Sequence, residues 1–156
     1  MDMTDAIADY AAATAVFVEV ARRIDPADLD RHAAGEWSAR QVIHHLADAE
    51  IEAASRLRRL LGEAPGAALL AFDEAGWATT PAFDYAGAPV ATSLAIIEAL
   101  RASAVDILQR LTPADLERRG EHSVRGSYSV ADWIAGHTEH PRVHATQMLE
   151  AIATEG

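Results

Sequence analysis

Apolar residues recur at intervals of three and four along four long stretches of the chain, and no segment between them alternates convincingly with a period of two. This pattern predicts four helices, over about 4–23, 39–62, 92–111 and 129–153. The apolar stripe of the first helix is interrupted once, by Thr14. The chain is therefore predicted to be all-α, an antiparallel four-helix bundle with a long loop between its second and third helices.

Capping signals support two of the predicted starts. Ser38 and Gln41 form a Ser-x-x-Gln capping box before the second helix, and Gly62 is a suitable terminator at its other end. Thr112 can cap a further helical start, with Pro113 at the first helical position.

The connection over residues 62–90 contains Gly, Pro and Ala together with four aromatic residues, Phe72, Trp77, Phe83 and Tyr85. A connection of this length in a compact domain is more often a functional flap than an idle link, and its aromatic side chains need a surface to cover. Two interpretations stay open here. The segment is either a flap over a functional site or a plug at one end of the bundle.

A weak internal repeat supports the architecture. The segments "DPADLDRHAAGEWSARQVIHHLADAE" and "TPADLERRGEHSVRGSYSVADWIAGHTEH" share Pro-Ala-Asp-Leu, then an aromatic-Ser pair, then a helix that carries histidines. This similarity indicates two helical hairpins of similar plan. The second and fourth helices would then occupy equivalent places, and their histidines could face each other.

Composition and charge narrow the class of protein. A chain of 156 residues, half of them hydrophobic, fits a single globular domain over 1–156. The formal charge of −11 would repel phosphate backbones and anionic membranes, so neither nucleic acid nor membrane is an expected partner. Cysteine is absent, so a metal would need His, Asp, Glu or water as ligands. The acidic start does not resemble a signal peptide, and we expect a cytoplasmic protein.

Three histidines lie on the apolar seam of the predicted fourth helix. The seam consists of Val130, Trp133, Ile134, His137, His140, His144, Met148 and Ala151. Clustered neutral imidazoles in a core are costly unless something binds them, and a metal ion is an economical partner. Residues four apart on a helix lie about 5–6 Å apart at Cβ, so His140 and His144 can hold one ion.

The second helix offers the third ligand. His45 lies seven residues after its cap and His140 eleven after Ser129, an offset of about one turn that places them on comparable faces. The sequence thus predicts a metal site formed by His45, His140 and His144. His137 competes as a ligand, although we expect it to support the site from behind.

The remaining histidines have weaker cases. His44 points about 100° away from its neighbour, so we expect it to face solvent. His32 and His122 lie in predicted connections and have no geometric argument for a role.

Three further residues bear on the predicted site. Asp48 could orient an imidazole or offer a carboxylate, or simply belong to a solvated acidic face. Gln147, three residues after His144, could bond that ligand or a neighbouring helix. Pro141 lacks the N–H that would normally reach the His137 carbonyl, which predicts a free carbonyl and a kink near His140.

Two motifs resemble those of a known family. "EWSARQVIHHLADAE" is similar to a pattern of Trp-Ser, six residues, then His-Leu-x-Asp-x-Glu, and "HTEHPRVHATQM" to Glu-His-x-x-x-His-x-x-Gln. Both patterns, in this order, resemble the DinB-like metal-binding four-helix bundles, which include bacillithiol and mycothiol S-transferases. The resemblance implies the metal ligands His45, His140 and His144, the triad reached above, and Pro141 is unusual for it.

Several functions are compatible with such a site. Three neutral nitrogens leave open positions on a divalent ion, which suits a catalytic centre; nickel or zinc suits imidazole best, and iron or manganese is possible. The resemblance implies a metal-dependent thiol S-transferase acting on a low-molecular-weight thiol and a small electrophile, and a hydrolase fits the same ligands. The alternatives are a non-catalytic metal-binding stress or scaffold protein and a metal-free bundle. We expect a homodimer.

Overall fold

The computed structural model describes residues 2–154. In this part of the chain the elements, numbered in chain order, are α1 (Met3–Arg23), α2 (Ala39–Gly62), β1 (Ala67–Leu69), α3 (Glu74–Thr79), α4 (Ala91–Leu108), α5 (Pro113–Leu116), β2 (Arg119–His122), β3 (Gly126–Ser129) and α6 (Val130–Ala153). The four long helices α1, α2, α4 and α6 form the bundle, which confirms the predicted fold class. No helix in the described part of the chain is long and apolar enough to cross a membrane.

The order of helices around the bundle is α1, α6, α2, α4. Helix α1 packs mainly against α4 and α6, and α2 packs mainly against the same two helices. The prediction of two helical hairpins is therefore wrong, because α1 and α2 occupy opposite corners of the bundle, and so do α4 and α6. The arrangement still places α2 beside α6, which is the pairing that the predicted histidine site requires.

Both helices that carry the site begin with a capping box. The Ser38 backbone N–H donates to Gln41 Oε1 at 2.9 Å, and the Gln41 N–H donates back to Ser38 Oγ at 3.3 Å. The same reciprocal pair occurs at the start of α6 between Ser129 and Asp132, with distances of 2.9 and 3.0 Å. These caps satisfy N–H groups that have no partner within the helix, so the start of each helix is fixed.

A small three-stranded sheet lies outside the bundle, where the sequence pattern indicated only connections. Strand β1 pairs in parallel with β2, and β2 pairs with β3 in antiparallel register. Each strand has only three or four residues, too few for a period of two to emerge from the sequence. The 62–90 connection is therefore partly ordered by β1 and by the short helix α3.

A polar layer divides the bundle core in two. One apolar cluster includes Phe17, Ile43, Ile97 and Met148, and the other includes Tyr10, Leu57, Leu108 and Trp133. On each long helix the residue between the two clusters is polar or offers a polar backbone atom: Thr14, Glu50, Arg101 and His137. The interruption at Thr14 in the apolar stripe of α1 marks this layer.

Arg101 joins all four long helices within the layer. Its guanidinium donates to Glu50 Oε1 at 2.6 Å, to Thr14 Oγ1 at 2.5 Å, and to the backbone carbonyls of His137 and Tyr10 at 3.1 and 3.2 Å. It also lies 3.8 Å from the centroid of the Tyr10 ring. The Arg101 and Glu50 side chains are 1% and 2% exposed, so this is a fully desolvated ion pair with its hydrogen bonds satisfied.

Pro141 is accommodated by the same arginine. The helix α6 continues through Pro141, which is buried, and the His137 carbonyl that the proline leaves without its helical donor accepts the Arg101 hydrogen bond instead. The predicted free carbonyl is thus present and has found a partner on α4. The proline therefore links the backbone of the site helix to the buried ion pair.

Candidate metal centre

The three histidines predicted as ligands lie together between α2 and α6. One ring nitrogen from each of His45, His140 and His144 falls within 4.8 Å of the other two. The Nε2 atoms of His140 and His144 are 2.9 Å apart, and the ring centroid of His45 lies 4.8 Å from that of His144 and 5.9 Å from that of His140. The structure brings the triad together, and its binding of an ion stays a prediction.

Gln147 orients one of these imidazoles, as the sequence suggested. Its Oε1 atom lies 2.8 Å from His144 Nδ1, so Nδ1 carries the proton and donates it to the amide oxygen. The lone pair of His144 is then on Nε2, the atom that faces His140. A ligand imidazole is usually fixed in this way by a hydrogen bond from its other nitrogen.

Burial keeps the imidazoles neutral. Desolvation, reinforced by the neighbouring His144, lowers the pKa of His45 to about 4, and burial with nearby histidines lowers the pKa of His140 to about 2. Burial also lowers the pKa of His144, against the opposing effect of its bond to Gln147. All three rings are therefore neutral near pH 7, and each can present the lone pair of one ring nitrogen to a cation.

These lowered pKa values predict a pH-dependent stability of the metal-free protein. Burial lowers the pKa of His45 to about 4, of His137 to about 3 and of His140 to about 2, whereas an unfolded histidine titrates near 6.5. Between about pH 6.5 and 4 the unfolded chain takes up protons that the folded chain refuses, so stability falls as pH falls. We expect a loss of roughly 2 kcal/mol per histidine between pH 7 and pH 5.

Urea unfolding of chelator-treated protein at the two pH values measures this loss. His140→Gln should recover about 2 kcal/mol of it, and His32→Gln, which changes an exposed histidine, should recover none. Burial raises the pKa of Glu50, which opposes the trend in the wild-type protein and in both variants, so the comparison between them reports mainly on the histidines. Equal pH dependence in all three proteins would contradict the expectation.

The donor set fits a divalent ion. Two imidazole nitrogens bound to one zinc ion at about 2.0–2.1 Å lie roughly 3 Å apart, close to the 2.9 Å between the Nε2 atoms of His140 and His144. The Nδ1 atoms of His45 and His140 are buried without hydrogen-bond partners among the described residues. A cluster of three neutral imidazoles, without thiolate or carboxylate ligands, suits zinc or nickel better than calcium or magnesium.

The triad opens to one side into a cleft of about 300 Å³. Aromatic rings flank His45 there: the centroid of Trp37 lies 4.9 Å from that of His45, and the centroid of Phe72 lies 6.2 Å away. Phe72 in turn packs on Trp77, with centroids 4.7 Å apart. Phe72 of the 62–90 connection therefore covers one side of His45, with Trp77 packed against it, which favours the flap interpretation over a plug at the bundle end.

Asp48 and Tyr85 attach this connection to α2. The Tyr85 hydroxyl donates to Asp48 Oδ2 at 2.6 Å, and burial together with this carboxylate raises the pKa of the phenol well above its ordinary value. Asp48 thus neither orients an imidazole nor belongs to a freely solvated acidic face. Its role is to hold the segment that covers the site.

The prediction that His44 faces solvent is wrong. His44 is 6% exposed, its Nδ1 lies 2.8 Å from Ser93 Oγ, and its Nε2 lies 3.1 Å from the Ala88 carbonyl. The carbonyl can only accept, so Nε2 carries the proton and Nδ1 accepts from the hydroxyl. The start of α4 and the residues before it cover this face of α2, a contact that helical spacing within α2 cannot reveal.

A second group of candidate ligands lies deeper in the bundle. Ligand atoms of Glu50, His137 and His140 also fall within 4.8 Å of one another. The guanidinium of Arg101, 2.6 Å from Glu50, already neutralises that carboxylate and would repel a cation there. The triad of His45, His140 and His144 is therefore the better candidate, and His137 supports the site through its carbonyl bond to Arg101.

His32 is exposed and lies outside the candidate site. Two other residues near the site were not singled out by the sequence. His122 ends β2, where its Nδ1 accepts hydrogen bonds from the backbone N–H groups of Val124 and Arg125. Glu74, at the first position of α3, lines the cleft beside the triad. No local motif marks these positions, because their approach to the site depends on the small sheet and on α3.

The fold and the site together define a class: a helical bundle with a cluster of neutral histidines between two of its helices. The chain belongs to the DinB superfamily, whose family model matches residues 9–148. This confirms the family that the two sequence motifs resemble.

Similar proteins occur in Oceanobacillus and Bacillus species. The chain is 37% identical over 119 residues, 74% of its length, to OB0782 of Oceanobacillus iheyensis, which is provisionally named a metal-dependent hydrolase. It is 31% identical over 141 residues, 86% of its length, to BcerKBAB4_2443 of Bacillus mycoides, which has the same provisional name. The alignments cover 67% and 79% of these two relatives, and 63% of a second Oceanobacillus protein, OB0413.

A solved structure shares the fold. YfiT from Bacillus subtilis superposes with a TM-score of 0.85 and 23% sequence identity, covering 96% of this chain and 85% of that one. That protein is described as a probable metal-dependent hydrolase with an unusual four-helix bundle topology. The likeness shows that this chain has the same fold.

Proposed function

We propose that this protein is a metal-dependent hydrolase whose His45, His140 and His144 hold one divalent ion, zinc or nickel. The observation that carries the proposal is the convergence of three ring nitrogens within 4.8 Å at the base of an open cleft. Three protein ligands and an open side are typical of catalytic rather than structural zinc sites. The names of the relatives point to the same class of chemistry.

The residues around the triad have defined tasks in this proposal. A bound divalent ion supplies Lewis acidity and lowers the pKa of a nucleophile beside it. Gln147 holds His144 in the tautomer that presents Nε2, while Trp37 and Phe72 exclude water from one side of His45. Glu74 lines the cleft and is placed to accept a proton from a nucleophile there.

A thiol S-transferase is the second candidate, because the same ligands can serve a thiol in place of water. The chain has no cysteine, so the thiol would have to come from a small molecule that enters the cleft. The cleft of about 300 Å³ has room for more than a water molecule. The motif resemblance supports this reaction, and the relatives' names favour hydrolysis.

One assay separates the two reactions. Zinc- and nickel-loaded protein would be offered p-nitrophenyl acetate alone, and separately monobromobimane with free cysteine as the thiol. We expect turnover of the ester that is lost with chelator and restored by metal, that falls at least about 100-fold in His144→Ala, and that is unchanged in His32→Ala.

The other outcomes distinguish the candidates. Metal-dependent consumption of the thiol without ester turnover would favour the transferase. An ion bound without turnover in either arm would favour a non-catalytic metal-binding protein. Ester turnover that survives chelation would contradict the proposed metal dependence.

A further inference from the structure

A second pocket adjoins the histidine site and is separate from the open cleft. It has a volume of about 100 Å³ and is more enclosed than the cleft. His140 and Glu74 line both spaces, so a molecule in the pocket lies next to the predicted metal ligands. The side chains that give the pocket its chemistry are Arg56, His122, Arg125, Tyr128 and His137.

The two arginines make this pocket cationic within an acidic protein. The chain has 24 acidic residues, and its 13 basic residues are all arginine. No described carboxylate lies within ion-pair distance of Arg125, whose guanidinium carbon is 5.7 Å from the Tyr128 ring centroid. Arg56 forms a long ion pair with Glu52, at 3.6 Å, and its Nε and Nη2 donate to the Leu70 carbonyl.

The lining retains unused donors and a net positive charge. Glu74 is the carboxylate among the lining residues, against the two arginines. Arg56 Nη1 has no hydrogen-bond partner among the described residues, and His137 Nδ1 is likewise buried without one. Planar guanidinium groups with free N–H donors are the usual receptors for carboxylates and phosphates.

Gly136 keeps the pocket open. It lies inside α6, where glycine costs about 1 kcal/mol relative to alanine. A Cβ at this position would lie 3.5 Å from the Tyr128 hydroxyl and 3.7 Å from Arg125 Nη1, which are ordinary contacts, so backbone packing does not require glycine here. A longer side chain would instead project among these groups and fill the pocket that Gly136 lines.

We propose that this pocket binds an oxyanionic group, a carboxylate or a phosphate, of the molecule on which the histidine site acts. The statement that the histidine site acts on the bound molecule rests on the proposed function. Binding of the anion by the pocket does not depend on that function and is argued from Arg56, Arg125 and Gly136 alone. With the anion held by the arginines, the rest of the molecule extends past His140 toward the triad. The substrate class is therefore anionic, despite the net charge of −11 on the protein.

The test uses metal-free protein, so that the pocket is examined separately from the metal site. Succinate, inorganic phosphate and uncharged succinamide are titrated at constant ionic strength while the arginine Nε–Hε signals are followed by NMR. We expect saturable shifts of the Arg56 and Arg125 signals with succinate or phosphate and none with succinamide. The stronger of the two anions identifies which oxyanion the pocket accepts.

Two variants and a matched control test whether the anion binds in this pocket. Arg125→Gln should weaken binding about tenfold or more, the equivalent of about 1.4 kcal/mol. Gly136→Met should abolish binding by filling the pocket. Arg119→Gln removes the same charge from an exposed arginine of the neighbouring strand, which bonds Ser127 outside the pocket, and should leave the affinity unchanged.

Two results would overturn the inference. The first is binding that is absent from the metal-free protein, or that is equally strong in Arg125→Gln and Gly136→Met. The second is binding that requires zinc and disappears in His140→Ala/His144→Ala, since the anion would then be bound by the ion. Conversely, anion binding by that double variant would support the pocket even if the proposed hydrolase activity failed.

Discussion

Replacing His140 and His144 together with alanine is expected to abolish high-affinity metal binding. Mutation of groups that merely orient a ligand typically lowers metal affinity 10–100-fold, so removal of two direct ligands should lower it by more than about 100-fold. Titration calorimetry with zinc and nickel, combined with metal analysis after dialysis, measures the change. We expect about one ion per chain in the wild-type protein and none in the double variant.

His32→Ala is the matched control, because it removes an exposed imidazole that lies outside the cluster. Circular dichroism checks that the double variant keeps its helices. Equal metal content in the wild-type protein and the double variant would show that the ion binds elsewhere and would remove the basis of the proposed function.

Arg101→Met is expected to be the most destabilising single substitution in the polar layer. It leaves the Glu50 carboxylate, 2% exposed, without its counter-ion, and it deprives the His137 carbonyl of its donor. Breaking a buried pair by removing one partner costs about 3–5 kcal/mol. For a protein of this size that corresponds to a fall in Tm of roughly 10 °C, measurable by urea and thermal unfolding.

A double-mutant cycle separates the unpaired charge from the lost packing. Adding Glu50→Leu to Arg101→Met should restore part of the stability, because the remaining carboxylate is then removed. Arg110→Met is the control, since Arg110 lies just after the end of α4, is exposed, and its side chain bonds only the Asp106 carbonyl. A loss below about 1 kcal/mol for Arg101→Met would show that the pair contributes little.

The parts of the fold that follow local rules were predictable from the sequence. Four helices and the capping box at Ser38 follow from apolar spacing and local hydrogen-bonding chemistry, and both are present. The start of α6 at Ser129 was predicted from the apolar spacing as well. The strands were not predictable, because β1 pairs with β2 across more than fifty residues and each strand is too short to show a pattern.

The residues of the candidate site also differ in whether local spacing could predict them. His45, His140 and His144 could be grouped because their spacing along two helices fixes their faces, and Gln147 because it lies one turn after His144. His44 was placed wrongly because its burial comes from Ser93 and the Ala88 carbonyl, which are distant in sequence.

The buried ion pair could not be predicted from the sequence, because its two residues lie on different helices. Glu50 on α2 and Arg101 on α4 each look like one of many charged helix residues until the bundle places them together. The free carbonyl at His137 could be foreseen from Pro141, but the arginine that binds it could not.

The polar layer has a consequence for the alignment of the helices along the bundle axis. Many buried positions are alanine, and small, similar side chains oppose sliding of one helix past another only weakly. A slip of one turn, about 5.4 Å, would separate Arg101 from Glu50 and strand both charges among apolar residues. Only one longitudinal alignment satisfies Arg101 on every helix, and in that alignment His45 lies opposite His140. The ion pair thus fixes the longitudinal alignment of the helices and, through it, the distance between His45 and His140.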